Sequence, residues 1–591
     1  MSILRHPLLW ILFFSLLFLT YGITNLALSD NDAMFPQIAR EMRQTGDWIT
    51  PRLNDALHFD KPPLVYWMIG LSQSIFGETE ATARIWPVLA NWFTILIVGG
   101  IGASLNGRRA GWLSALVLAG CLGPFLFSRV VSTDAMLCLW TALAILSYIR
   151  AVIDKGRYSG LWLMVMFVSF GLAGLTKALL GIGLPTTIVG LHAILSGRWK
   201  SFLSWRTALG ILLMAAVVAP WHILVARANP DFLWYYFIRE HVLRFTGQRF
   251  PRDEFLSAPV FLVFTILWTF PWMGVLPQAL SGTLRRIKQA DWRTSKDLLP
   301  CLWFLLIIGL FTASRSRMEY YSLPAIPAFA LLIGKLWDEA LQGESRSSRR
   351  FMAISLGLMS VILLIAAVAA WEVLGPSKEE VFQFFGAWWP QSGWSGTSAQ
   401  IATLERIRIP TAVVLAGSAL FVLGASLASL LSRPGLACGL LAAIMAPIFI
   451  MANWGFVLME PFMSSRPVVD ILKRANSVEA VVIQQPHEYQ SIGGMVFYSG
   501  RPVYIFEDSK SENPFMKYRD LGARFLSHED LRELWGSEKR VALVFERSKE
   551  SETSRLLQSE PANVIGKFGT RVVVTNILTR VSAKETASGK P

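Results

Sequence analysis

The sequence predicts a polytopic α-helical membrane protein with a small α/β domain outside the bilayer. Three observations lead there. Of the 591 residues, 53% are hydrophobic and only 16% charged, and the mean hydropathy is +0.45, too apolar for an ordinary soluble chain. Apolar stretches of about 20 residues, the length that crosses a hydrocarbon core, recur about thirteen times. Beyond residue 460 the pattern changes to short β-like runs alternating with helical ones.

The first apolar stretch, 7–28, ends in Ala27-Leu28-Ser29, which has the look of a cleavage site. Its apolar run is longer than a signal-peptide core of about 7–15 residues, so it reads as a retained anchor. Further stretches lie near 82–104, 110–128, 133–153, 160–176, 178–196 and 207–227, then near 257–281, 298–314, 320–341, 351–373, 410–431 and 436–459. Their loops set the orientation. Arg5 and the segments "NGRR" (106–109), "DKGR" (154–157), "GRWK" (197–200), "LRRIKQADWRTSK" (284–296), "SRSSRR" (345–350) and "SRP" (432–434) fall on one side by alternation. The positive-inside rule assigns that side to the cytoplasm. The long loops 29–81, 228–256 and 374–409 and the tail then face outside. The same distribution argues against a nucleic-acid surface despite the net charge of +14, because the cations sit in scattered short loops.

The expected domains are a transmembrane part over 1–459, an outer α/β domain over 460–581 and a disordered tail over 582–591. Within the α/β domain, "AVVIQ" (480–484), "GMVFYSG" (494–500), "RVALVF" (540–545) and "RVVVTNI" (571–577) read as strands, and "RPVVDILKRA" and "SHEDLRELWG" as helices. The four cysteines, Cys121, Cys138, Cys301 and Cys438, lie in apolar segments without CxxC spacing. They read as buried free thiols rather than a zinc site or a disulfide framework. No repeat of about 20–50 residues is visible.

With the orientation set, ionisable residues collect at the outer membrane face. Asp30, Asp32, Asp60, Lys61 and Arg84 belong to the first outer loop and its end, and Asp134 opens a span just after Arg129. Lys177 lies between two spans, Glu240, His241 and Arg244 lie in the 228–256 segment, and "SRSRMEYYSLP" brings Arg315, Arg317, Tyr320 and Tyr321. Charges near membrane depth are costly and usually face a bundle interior or a wet cavity. Lysines and arginines there suit a phosphate, and carboxylates suit orienting or deprotonating a nucleophile or holding a divalent cation. Each residue also has a plainer reading. Asp32 suits a helix N-cap with Pro36 in the first turn, Lys61 can snorkel, and Arg84, Arg315 and Arg317 can anchor headgroups. The abundant Trp and Phe suit membrane interfaces. The weight lies on convergence. No Rossmann-like GxGxxG or Walker loop occurs, so no nucleotide cofactor is expected.

Several linked motifs carry a resemblance. "NDAMFPQIAREMRQTGDWITPRLNDALHFDKPPLVYWMIG", "ARIWPVL" (83–89), "STDAML" (132–137) and "GLTKALLGIGLP" (174–185) are four of them. "APWHILVARANPDFLWYYFIREHVLRF" (219–245) and "SRSRMEYYSLPAIP" (314–327) follow in order. Together they resemble the lipid A aminoarabinose transferases, within the GT-C integral-membrane glycosyltransferases related to protein O-mannosyltransferases. The resemblance implies a GT-C fold with outer juxtamembrane helices in the bacterial inner membrane. It implies transfer of 4-amino-4-deoxy-L-arabinose from undecaprenyl phosphate to lipid A or a related glycan or protein acceptor at the periplasmic face. It also implies Asp32 or Asp30, with Asp134, as acceptor-handling carboxylates, and Lys61, Arg84, Lys177, Arg244, Arg317 and Tyr321 as donor-phosphate residues. Asp60 and His241 resemble positions that share a divalent metal, Zn or Mg, completed by phosphate or water. The chain departs from the usual pattern at Asn31-Asp32 (Asp-Glu), Met34-Phe35 (Arg-Tyr), Arg317 (Lys) and Glu319 (Pro). A same-fold transferase of mannose, galactose or a uronic acid is the nearest rival. A lipid or solute transporter is the rival of another class, disfavoured because charges collect at one face without inverted repeats.

Overall fold

The structure, a computed structural model, describes residues 6–246, 248, 256–289, 293–343, 346–373, 398–474, 478–484, 489–506, 524–557 and 562–577. The expected tail 582–591 and parts of the 228–256 and 374–409 loops lie outside the described residues. Two compact units emerge. The first comprises Met1–Thr24, Phe59–Gly396 and Ile401–Gly455, and the second Asn25–His58, Thr397–Gln400 and Phe456–Pro591. The division differs from the sequence expectation, since Asn25–His58, most of the first outer loop, belongs with the tail domain.

The first unit is a helical membrane bundle. Helix occupies each apolar stretch expected from the sequence, because a chain in hydrocarbon must satisfy every backbone N–H and C=O within itself. Among the described residues, seven helices are long and apolar enough to span. They include Glu80–Asn106, Asp134–Ile153, Ser159–Leu195 and Trp205–Ala228. Ala258–Trp268 and Trp272–Gln289 meet at 100° and make an eighth if counted as one. Pro7–Thr20, Leu64–Phe76 and Leu298–Ala313 are shorter apolar helices. The bundle core includes Trp272, Trp303 and Trp337, all fully buried. The Ser159–Leu195 helix breaks at Lys177 (φ −143°) and Ala178 (φ 52°), where the sequence reading separated two spans. Gly181 lies just past the break, and a Cβ there would run into the Ala173 carbonyl, so the two arms close on each other only through glycine. All four cysteines are free.

The second unit opens with the helix Asp30–Thr45. Its N-cap is Ser29, whose hydroxyl accepts from the Asp32 N–H at 3.1 Å, so Asp32 sits inside the first turn rather than capping it. Pro36 therefore lies beyond the first turn, inside the helix. A two-residue-strand hairpin follows, β1 (Arg52–Leu53) and β2 (Ala56–Leu57). Six later strands form one sheet: β3 (Ala480–Gln484), β4 (Tyr504–Phe506), β5 (Phe525–Leu526), β6 (Val541–Glu546), β7 (Asn563–Phe568) and β8 (Arg571–Thr575). Their order is β5-β4-β3-β6-β8-β7, parallel through β6 and antiparallel from β6 to β8 and β7. Val482, Leu543, Val572 and Trp535 pack in its core. One expected strand is a helix: 494–500 falls on Gly493–Ser499, with Gly493 through Phe497 all buried. A short apolar run buried on all sides does not distinguish strand from helix by periodicity.

Candidate active site

In the first unit the segment before Pro62-Pro63 presents Asp60 and Lys61. Phe59 locks it edge-on against Phe232 and Tyr235, with ring centroids 5.3 and 6.2 Å away. Tyr235 donates its hydroxyl to Asp60 Oδ1 at 2.9 Å. Tyr235 begins the face of a π-helix, Trp234–Leu243, a wide turn that recurs at functional sites. The same π-helix carries Arg239, Glu240 and His241, and Arg244 follows it. Arg239 and Glu240, both buried, form a tight ion pair. Arg244 reaches the other Glu240 oxygen at 3.7 Å, and the Arg239 guanidinium lies 4.8 Å from the centre of the Tyr235 ring.

Lys61 is partly buried. Its ammonium donates to the Asp60 backbone carbonyl at 3.3 Å and to no carboxylate among the described residues. Burial, and after it the Arg244 guanidinium, draw its pKa below the ordinary lysine value, against the pull of Asp60 and Glu240. Lys61, Arg244 and, more weakly, Lys177 thus share one electrostatic neighbourhood.

Lys177, set by the helix break, donates to Asp134 Oδ1 at 2.5 Å, and its ammonium stands 4.7 and 5.7 Å from the Tyr321 and Tyr320 ring centres. Asp134, buried, begins the Asp134–Tyr148 helix. The turn Glu319–Ala325 carries the two tyrosines. Two indoles pin it: Trp268 donates to the Glu319 carbonyl at 2.7 Å and Trp303 to the Pro324 carbonyl at 2.8 Å.

Not every expected phosphate ligand stands free for that work. Arg84 is buried and donates to the backbone carbonyls of Arg129 (2.7 Å) and Ile23 (3.2 Å). Arg129 in turn donates to the carbonyls of Phe125, Phe18 and Tyr21. Arg317 donates to the carbonyls of Leu256, Thr312 and Ser314 and so shapes the entry to the tyrosine turn. The guanidinium groups of Arg84 and Arg317 are both engaged by backbone carbonyls. Guanidinium forks serve backbone carbonyls as readily as phosphates, and the sequence does not distinguish the two uses.

The acidic pair belongs to the second unit. Asp30 is buried, ion-paired with Arg571, and accepts the Ser465 N–H at 2.7 Å. Gly494 leaves room for it, since a Cβ there would strike Asp30 Oδ1. Asp30 is thus a structural carboxylate, and Asp32 at the helix start is the partly exposed member of the pair.

The metal expectation meets a thin donor set. His241 Nδ1 lies 2.6 Å from the Tyr236 carbonyl, so the ring donates there and Nε2 carries the lone pair. Burial, with Lys61 and Arg244 nearby, draws its pKa down and keeps the ring neutral. Yet among the described residues no group of three or more His, Cys, Asp or Glu is placed to hold an ion. The nearby cations also oppose one. Asp60 and His241 do not make a complete site by themselves.

The sequence reading missed Tyr235 and Arg239. They lie in the motif that supplies Glu240, His241 and Arg244, and nothing in "WYYFIREHVLRF" announces a π-helical register.

The first unit, a spanning bundle with carboxylates and cations gathered at helix ends, has the GT-C type of fold. The fold matches the crystal structure of ArnT from Cupriavidus metallidurans bound to undecaprenyl phosphate, with TM-score 0.78 over 97% of this chain and 98% of that one at 20% identity. Residues 60–224 match the family described as dolichyl-phosphate-mannose-protein mannosyltransferase. Within that class, the chain resembles the undecaprenyl phosphate-alpha-4-amino-4-deoxy-L-arabinose arabinosyl transferases. That of Serratia proteamaculans is 27% identical over 64% of this chain and 67% of its own length. That of Pseudomonas aeruginosa is 28% identical over 63% and 69%. The matched portions span about two thirds of those relatives.

Proposed function

We propose that the chain is an inverting glycosyltransferase that moves 4-amino-4-deoxy-L-arabinose from undecaprenyl phosphate to lipid A at the periplasmic face of the inner membrane. Lys61 carries the reading: a partly buried ammonium beside Arg244, with no carboxylate partner among the described residues. Like charges held together away from bulk water are unfavourable until an anion joins them. A prenyl phosphate is such an anion. The relatives' names and the undecaprenyl phosphate of the Cupriavidus structure support that choice.

In the proposed reaction an acceptor oxygen attacks C1 of the sugar while the C1–O bond to phosphate breaks. The bonding pair leaves with the prenyl phosphate, whose growing charge falls to Lys61 and Arg244, with Tyr321 as a further donor. Lys177 holds Asp134 in place, so Asp134 orients the acceptor as a charged, fixed carboxylate. Asp32 is the proposed second acceptor carboxylate. A lipid A phosphate is already anionic and needs orientation more than a base. A divalent cation at Asp60 and His241 is a separate proposal that chelation decides: EDTA inhibition reversed by Zn or Mg supports it, and unchanged activity ends it.

Transfer of mannose to protein is the second reading, favoured by the family match over 60–224. The test uses the full chain in nanodiscs with radiolabelled undecaprenyl phosphate-aminoarabinose and lipid A, and in parallel a prenyl-phosphate mannose with protein acceptors. Labelled lipid A that disappears with Lys61→Ala is expected. Label passing only to protein favours the second reading, and movement of intact lipid without glycosyl transfer overturns both.

A further inference from the structure

Arg239 lies in the π-helix of the site, and the proposed reaction gives it no task. Its guanidinium is buried, an arrangement that is costly unless the charge is paired. Two contacts engage it. One is the tight ion pair with Glu240, whose side chain is equally buried. The other is the face of Tyr235, with the guanidinium 4.8 Å from the ring centre, within cation–π range. Each contact bears on a carboxylate beside the proposed phosphate cations. Glu240 turns its second oxygen to Arg244, but at 3.7 Å, longer than a hydrogen bond. Asp60 directly precedes Lys61, yet its Oδ1 accepts from the Tyr235 hydroxyl at 2.9 Å, and Lys61 donates to the Asp60 backbone carbonyl instead. Both carboxylates act electrostatically on Lys61. Of the two arginines around Glu240, Arg239 is the deeper, its side chain 2% exposed against 22% for Arg244. The more buried arginine holds the carboxylate, and the more accessible one keeps the looser contact.

We infer that Arg239 is a positioning residue: it holds Glu240, and through the Tyr235 ring Asp60, off Arg244 and Lys61, so that both cations serve the donor phosphate. A buried carboxylate that loses its counter-ion closes on the next cation in reach, and for Glu240 that cation is Arg244. Positive charge matched by a protein carboxylate is withdrawn from a phosphate, whose binding depends on the charge left over. Arg239 therefore acts through Glu240 and Tyr235 and touches no donor atom itself. The inference rests on the proposed prenyl-phosphate donor and is indifferent to which sugar or acceptor is used.

The test measures the Kd of undecaprenyl phosphate and the donor kcat/KM for the full chain in nanodiscs. It compares wild type, Arg239→Met, Arg239→Lys, Glu240→Gln and the double variant Arg239→Met with Glu240→Gln. Arg239→Met should weaken undecaprenyl phosphate binding about tenfold and lower kcat/KM by at least as much. Arg239→Lys keeps the charge and should recover most of that loss. The double variant has no carboxylate left to capture Arg244, so its Kd should return to within about threefold of wild type. Glu240→Gln alone should bind as tightly as wild type or tighter while unfolding at a lower temperature, because Arg239 has lost its ion pair. A purely structural role predicts that the second substitution deepens the loss. Unchanged binding in Arg239→Met, or a loss that the double variant keeps, overturns the inference and leaves the transferase reading in place. If Arg239→Met does not fold, the double variant decides alone: binding like wild type supports the inference, and binding about tenfold weaker ends it. Wild type that does not bind undecaprenyl phosphate removes the prenyl-phosphate reading and the inference with it.

Discussion

Lys61 shows how one side chain can be committed by what surrounds it rather than by what it touches. The ammonium is the phosphate-binding form, and burial with Arg244 beside it holds its pKa below the ordinary lysine value. Donor kcat/KM should therefore be full below that lowered pKa and fall as pH rises through it. A pH profile should show this alkaline limb in wild type and lose it in Lys61→Arg, whose guanidinium stays charged. Lys61→Ala should cost about 10²-fold or more at neutral pH without changing thermal unfolding. A flat wild-type profile would remove Lys61 from donor binding. Asp30 and Asp32 separate by the same kind of reasoning. Asp30→Asn strands Arg571 and weakens the Ser465 contact, so it should cost about 3–5 kcal/mol of stability in denaturant unfolding. Asp32→Asn should leave unfolding unchanged and lower transfer. The sequence marked both residues but not their difference, because the partners that bury Asp30 lie more than four hundred positions away.

At the scale of elements, the break in Ser159–Leu195 sets where Lys177 stands. Ala178 holds φ 52° and ψ −135°, a region that favours glycine and costs a side chain about 1–3 kcal/mol. Ala178→Gly should therefore raise the unfolding temperature with transfer retained. Ala178→Val should lower both, because a β-branched residue resists that conformation and shifts Lys177 from Asp134. Unchanged unfolding in both variants would mean that the break carries no strain. The break itself was legible, since a lysine between two apolar runs marks the end of one span and the start of the next. The long apolar helices were legible for the same physical reason, as hydrocarbon admits few alternatives. The π-helix around Tyr235 and the Gly493–Ser499 helix were not, because both depend on packing partners that local periodicity does not encode.

At the scale of the molecule, the second unit is assembled from two distant pieces of chain. The helix Asp30–Thr45 buries Ala33, Met34, Phe35, Ile38 and Met42, and Arg40 donates to the Phe497 carbonyl at 2.9 Å. Asn54 bridges the pieces twice, giving its amide to the Val503 carbonyl and accepting the Val503 N–H, each at 2.9 Å. Glu41 is half-buried and holds the hairpin, accepting the Asn54 N–H at 2.8 Å. A sequence reading cuts this unit at the last span because composition changes there, yet the contacts assign Asn25–His58 to it. A fragment beginning at Ser464 should then lack part of its own core and expose the apolar face that the Asp30–Thr45 helix covers. Expressed alone, it should be cut rapidly by protease and bind a hydrophobic dye. The same fragment joined through a flexible linker to Asn25–His58 should resist cleavage, and Asn54→Ala in that fusion should cost about 1–3 kcal/mol for the buried partners it leaves unmet. Equal protease resistance with and without Asn25–His58 would show that the sheet domain folds by itself and that the early loop is only docked upon it.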